Sequence, residues 1–147
     1  MTAEKATEKK ESKKEKYYYA IGRRKSAIAQ VRLFETKKGS GEVEIKINDR
    51  QLDDYFTIDR LRKTVTEPLI GTAQSGNFYA QIRVRGGGIK AQAEAIRLAV
   101  ARSLVVYDES FKKALSDLGF IKRDSRRVER KKPGLKKARK SPQWAKR

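Results

Sequence analysis

The last twenty-eight residues, Phe120 to Arg147, set the first limit on how this chain can fold. They hold thirteen Lys and Arg against two acids, Asp124 and Glu129, a net charge of +11 within a chain total of +19. Their few apolar residues, among them Ile121, Val128, Leu135 and Trp144, keep no sustained period of 2 or 3.6, and Pro133-Gly134 and Pro142 interrupt them further. Such a segment cannot bury enough apolar surface to offset the entropy of ordering. Alone in water it is expected to be disordered and to take its shape from a polyanion. A solvated tail that only aids solubility is the bland alternative.

The opposite end is equally poor in apolar residues. Met1–Lys16 mixes six Lys with four Glu and offers transient Glu–Lys pairs but no face to dock, so it reads as a disordered charged arm. Residues 17–119 remain as one globular domain, with 120–147 as the tail. Across the chain Lys plus Arg outnumber Asp plus Glu by 37 to 18, with a pI near 10.3. That balance calls for a polyanionic partner, nucleic acid before an anionic membrane. Neither a membrane-spanning apolar run nor a secretory or transit pattern is expected here. The absence of Cys removes disulfides, thiolate zinc sites and cysteine nucleophiles, and the absence of His removes the usual neutral-pH base and the commonest metal ligand. No enzyme activity and no cofactor are expected, Mg²⁺ entering only as a counterion of the nucleic acid.

Between the two tails the hydrophobic periods alternate cleanly. Tyr17–Ile21 is aromatic and β-prone and runs into a basic turn, Gly22-Arg23-Arg24-Lys25-Ser26. Ala27, Ala29, Val31 and Leu33 alternate with Ile28, Gln30, Arg32 and Phe34 as a strand. Lys37–Gly41 reads as a hairpin-type connection to a strand with Val43, Ile45 and Ile47 inward, closed by Asn48-Asp49. Gln51–Phe56 suits a short helical turn, and Asp59 suits the N-cap of a helix carrying Leu61 and Val65 and ending near Pro68. Gly71–Asn77 is loop. Phe78, Ala80, Ile82 and Val84 form another strand. After Gly86-Gly87-Gly88 the longest helix presents Ile89, Ala93, Ile96, Val100 and Leu104, with Lys90, Glu94 and Arg97 opposite. Asp108 is expected to cap a last helix with Phe111, Leu115 and Leu118 on its apolar side and Gly119 at C′. Three or four strands with helices on one side make a two-layer α+β domain.

Chemistry gathers at few places. Arg23-Arg24-Lys25 has the look of a phosphate-gripping turn, with a solvated turn as the alternative; the glycines a phosphate loop requires are missing around Lys25-Ser26. Arg83 and Arg85 share a strand face, and the glycines after them lead into a helix N-terminus whose free N–H groups and dipole favour an anion. A purely steric glycine turn is the alternative, and the third glycine of a dinucleotide fingerprint is absent. Asp53-Asp54 and Asp108-Glu109 diverge too much to pair as acid and base or to gather a metal, and read as caps or surface charge. In the tail, Arg126, Arg127, Arg130 and Arg139 can grip phosphate bidentately while the lysines act as point charges. Trp144 is a candidate for stacking on a base or ribose, or for packing on a neighbour. If ~6 tail cations neutralise phosphates, log K falls with log salt at a slope of roughly −4 to −5.

These residues together form a pattern. Ala20-Ile21-Gly22-Arg23-Arg24-Lys25-Ser26-Ala27, Arg83-Val84-Arg85-Gly86-Gly87-Gly88, Gln92-Ala93-Glu94-Ala95-Ile96-Arg97 with Ala101-Arg102-Ser103-Leu104, and Arg123–Gly134 with Lys136–Lys140 and Lys146-Arg147 stand in one order. In that order the chain from Tyr17 to Arg147 resembles the bacterial-type ribosomal protein S-nine family of the small subunit. The resemblance implies a two-layer α/β sandwich, like the second domain of ribosomal protein S-five, with a left-handed βαβ crossover and an extended basic C-terminal tail. It implies a structural constituent of the cytoplasmic ribosome, bound to 16S rRNA in the subunit head beside neighbouring head proteins, with no membrane partner and no homo-oligomer. Docking then falls to Arg23, Arg24, Lys25, Arg83, Arg85, Gly86, Gly87 and Gly88. In the tail, rRNA falls to Arg123, Arg126, Arg127, Arg130, Lys131, Lys132, Lys136, Lys137, Arg139 and Lys140. Lys146 and Arg147 would meet the anticodon stem-loop of peptidyl-site tRNA. Relatives often carry Gln-Phe-Ser where this chain has Gln143-Trp144-Ala145. A DNA-architectural protein is the rival reading, and lacks an evident groove-entering helix or wedge; an enzyme on a related fold is the remote third.

Overall fold

The computed structural model describes residues 16–36 and 44–145. The expected N-terminal arm up to Glu15, the Lys37–Gly41 connection with Val43, and Lys146-Arg147 lie outside the described residues.

Among the described residues, alternation becomes a sheet of five strands. β1 (Tyr17–Arg24) and β2 (Ala27–Glu35) form an antiparallel hairpin with Tyr17 opposite Phe34 and Arg24 opposite Ala27. β3 (Glu44–Ile47) turns through Asn48-Asp49 into the two-residue β4 (Arg50–Gln51). Both turn residues have positive φ, 46° and 68°, as a tight hairpin turn requires and as Asn and Asp tolerate. β5 (Phe78–Arg85) lies between β2 and β3, antiparallel to the first and parallel to the second, giving the order β1-β2-β5-β3-β4. Asn48 lengthens the parallel pairing with its side chain: the carboxamide accepts from the Val84 N–H at 2.9 Å and donates to the Val84 carbonyl at 3.1 Å.

The described residues form four helices, α1 (Leu52–Tyr55), α2 (Asp59–Gly71), α3 (Ile89–Tyr107) and α4 (Phe111–Asp117). The inward set of β2, Ala27, Ala29, Val31 and Leu33, joins Ile45 and Ile47 of β3, Ile82 of β5, and Ala93, Ile96, Val100 and Leu104 of α3 in one buried cluster. At 20–30 cal/mol per Å², removing this apolar area from water is the main force holding helices to sheet. α3 can approach closely because much of its buried side is alanine, Ala91, Ala93, Ala95, Ala99 and Ala101. Tyr107 closes one end, edge-on to Tyr18 at 5.1 Å and to Phe78 at 5.0 Å.

Several local expectations change. The Gly-bearing segment after β2 does not join paired strands, because β5 separates β2 from β3; turn composition signals a reversal but not which strand lies next. The N-cap of α2 is Ile58, while Asp59 is the first helical residue and its carboxylate accepts from Arg62. Pro68 does not end α2 but sits inside it, where burial of Val65, Pro68 and Leu69 outweighs the lost backbone N–H. Ile89, at the exposed start of α3, and Leu118, beyond α4, stay half exposed and outside the core. Asp108 ends α3 and holds the following turn, its Oδ1 accepting from the Ser110 N–H at 2.9 Å. Gly119, at φ 74°, closes α4 as expected: its N–H bonds to Ser116 and that of Phe120 to Leu115, a Schellman arrangement.

Candidate nucleic-acid interface

The fold draws the two basic motifs to one corner. β1 continues through Arg24, so the turn is only Lys25-Ser26, with Lys25 at φ 51°. Against it lie Gly86 and Gly87, at φ 69° and 70°. A Cβ on Gly86 would stand 2.7 Å from the Ser26 carbonyl oxygen, and one on Gly87 would stand 2.8 Å from the Ala27 Cβ. Backbone shape and close packing therefore account for these two glycines. Gly88 has open space around it and is the N-cap of α3, with no side-chain cap and no acid in the first turn. Gln92 folds back over this end, donating to the Gly86 carbonyl at 3.1 Å and accepting from the Tyr55 hydroxyl at 2.8 Å.

The root of the tail comes to the same corner, held by Arg24. Only 13% of this side chain is exposed. Its Nε donates to Glu94 at 2.6 Å, its Nη2 lies 3.0 Å from Asp124, and its Nη1 donates to the Arg126 carbonyl at 2.8 Å. Arg126 in turn grips both oxygens of Asp124, at 2.9–3.2 Å, and Arg127 donates to the Lys25 carbonyl at 3.1 Å. Arg126, by side-chain and backbone hydrogen bonds, and the nearby charge of Arg24 hold the Asp124 carboxyl well below the usual carboxylate range. A largely buried cation would be costly unpaired, and here each of its nitrogens has a partner. Glu94 is thus more than one face of an amphipathic helix, and Asp124 more than a stray acid. Sequence spacing carried no signal of this, since Arg24 and Asp124 meet only after β1, α3 and the tail are packed.

Beyond the root, Phe120 to Ala145 contains no helix or strand. Pro133-Gly134 makes a turn, Gly134 at φ 80°, and the Lys136 N–H bonds to the Lys140 carbonyl at 2.7 Å. Glu129 accepts two bonds from Arg139, each 2.8 Å, which lower its pKa. Among the described residues no acidic side chain pairs with Arg123, Arg130, Lys131, Lys132, Lys136, Lys137 or Lys140, nor with Arg23, Lys25, Arg83 or Arg85. Trp144 is 93% exposed. The structure thus brings Arg23, Lys25, Arg85, the glycine turn and the tail root together, gives Arg24, Arg126 and Arg139 intramolecular partners, and leaves most tail cations facing solvent. No described helix is long and apolar enough to cross a membrane.

An open sheet layered with helices, carrying cations at one corner and along an irregular extension, defines a basic α/β protein with a surface complementary to a polyanion. The sequence model of the family described as "Ribosomal protein S9/S16" matches residues 22–147, and the chain belongs to that family. It is therefore a small-subunit ribosomal protein, of a family whose members are structural components rather than enzymes.

Proposed function

We propose that this protein binds 16S rRNA in the head of the small subunit of the cytoplasmic ribosome, and that its tail reaches the anticodon stem-loop of peptidyl-site tRNA. The observation carrying the reading is the contrast along the tail: a root tied to the folded body through Arg24 and Asp124, followed by cations that point to solvent without acidic partners. Arg23, Lys25, Arg83, Arg85 and the uncapped start of α3 meet backbone phosphates where the domain docks. Arg123, Arg127, Arg130 and the lysines from Lys131 to Lys140 neutralise phosphates along the path of the tail, ordering it as counterions are released. Arg24, Arg126 and Arg139 act there mainly by shaping the tail. Trp144 stacks on a base or ribose. Mg²⁺ takes part only as a counterion of the RNA, neighbouring head proteins complete the seat, and the protein acts as a single copy. We further propose that the connection from β3 through β4, α1 and α2 to the parallel β5 is a left-handed crossover, as in the second domain of ribosomal protein S-five.

At the end of the path Lys146 and Arg147 add positive charge beside the tRNA backbone and hold the anticodon stem in place. Deleting these two residues is expected to weaken peptidyl-site tRNA retention and frame maintenance while small subunits still assemble. Equal tRNA affinity of truncated and intact subunits would refute the tRNA contact, and absence of the protein from subunits at moderate salt would refute the rRNA reading.

A further inference from the structure

The helices cover one face of the sheet, and among the described residues nothing covers the opposite face. Cross-strand register sorts its side chains into rows. Tyr17, Phe34 and Tyr79 lie side by side on β1, β2 and β5, with ring centroids 5.7 Å and 5.9 Å apart. The next row places Tyr19 beside Arg32, Gln81 and Lys46. The last two rows carry Gln30 with Arg83 and Arg23 with Ile28 and Arg85. Tyr17 and Tyr19, on the edge strand β1, are 47% and 43% exposed, so their ring faces are open to a ligand. The Arg32 guanidinium lies 5.3 Å from the Tyr17 ring centroid, and the Lys46 ammonium 5.7 Å from that of Tyr79. Rings and cations line a shallow depression of about 530 Å³.

We infer that this face is a stacking platform for unpaired nucleotides of rRNA, adjoining the glycine-turn corner, with which it shares Arg23, Arg83 and Arg85, and distinct from the tail. The inference rests on the rRNA-binding reading above. Charge complementarity selects the occupant. Arg23, Arg32, Lys46, Arg83 and Arg85 outnumber the acids at its border, Glu44 and Asp49, which suits a phosphate backbone and disfavours an apolar protein partner. Exposed rings select the state of the RNA. A duplex offers phosphates and hydroxyls but keeps its bases stacked, whereas a loop or bulge can lay its bases on aromatic and guanidinium planes. Three rings across three strands span about 10 Å, room for two or three splayed bases. Cations already resting on the rings cover them when RNA is absent and turn to phosphates when a base displaces them.

The test uses the full chain with two fluorescein-labelled probes, an unpaired ten-nucleotide RNA and a hairpin duplex, read by anisotropy at one salt concentration. The double substitution Tyr17→Leu/Tyr79→Leu keeps apolar bulk and removes the phenol rings. It is expected to weaken the unpaired probe about tenfold or more and the duplex less than twofold. Equal losses on both probes, or none, overturn the platform. Should the pair melt well below the parent, Tyr19→Leu alone makes the same comparison. Ultraviolet crosslinking of the unaltered protein in assembled subunits gives an independent answer. Nucleotides attached to peptides containing Tyr17–Tyr19 or Tyr79 support the platform. Attachment to tail peptides alone overturns it and leaves the rRNA reading standing, while attachment to neither overturns both. A bifunctional reagent joining Lys46 to another protein across this face would overturn it in favour of a protein seat.

Discussion

Gly22 is the position where one methyl group should cost the most. There β1 crosses α3, and a Cβ would lie 1.9 Å from the Ala95 carbonyl oxygen and 2.7 Å from the Ala99 nitrogen. Ordinary carbon contacts fall near ~3.5 Å, so strand and helix would have to part by roughly 1.5 Å. Both obstacles are backbone, with no rotamer to move aside. A gap of only ~0.5–1 Å already forfeits a quarter to a half of each dispersion contact, and here it would open along the alanine face of α3 and the inner face of β1. Overpacking typically costs ~1–3 kcal/mol, so a backbone clash of this depth belongs at ~3 kcal/mol or above. At about 4 °C per kcal/mol for a folded unit near a hundred residues, Gly22→Ala should lower Tm by about 12 °C. Two other glycines separate the mechanisms. Gly119→Ala meets no neighbour but must hold φ 74°, at a cost of about 1 kcal/mol. Gly88→Ser meets no neighbour at φ −94° and gains a cap, and should change stability by only a few tenths of a kcal/mol, upward. Thermal unfolding of the full chain by far-ultraviolet circular dichroism reads all three. A Gly22→Ala protein melting within a degree of the parent would refute the close-approach reasoning.

The tail root should be acid-labile. Arg126 and Arg24 depress the Asp124 pKa on folding, so the stabilisation is fully present above the unfolded value near ~4 and is lost as pH falls through the lower folded value. The protection factor of the Arg126 amide, whose N–H donates to Asp124 Oδ1 at 2.9 Å, should fall below about pH 4, and in Asp124→Asn it should be low at neutral pH and change little with acid. Along the tail, replacing Lys131, Lys132, Lys136 and Lys137 with alanine should reduce the slope of log K against log salt by about 3–4 for duplex or unpaired RNA, with little change in Tm. An unchanged slope would mean that these lysines do not meet phosphate.

Much of this was legible along the chain because it depends on near neighbours. The inward and outward sets of β2 and β5 follow from a period of two, Gly119 follows from the need for a positive φ after a helix, and the cationic character of the tail follows from counting. Partner choice was not legible. Lys37–Gly41 resembles a hairpin connection, yet β5 occupies the place beside β2, because strand order is settled by which apolar faces bury together. Arg24 resembled its neighbours Arg23 and Lys25, and only the approach of α3 and the tail turned it toward Glu94 and Asp124. The aromatic rows needed register: Tyr17 and Tyr79 are far apart in the chain, and their rings flank Phe34 only when three strands align. Local chemistry thus determined where the chain turns, what it buries and that it seeks a polyanion. Which cation faces inward and which rings face out was decided by long-range packing, because burial is a property of the assembled layers and no single segment carries it.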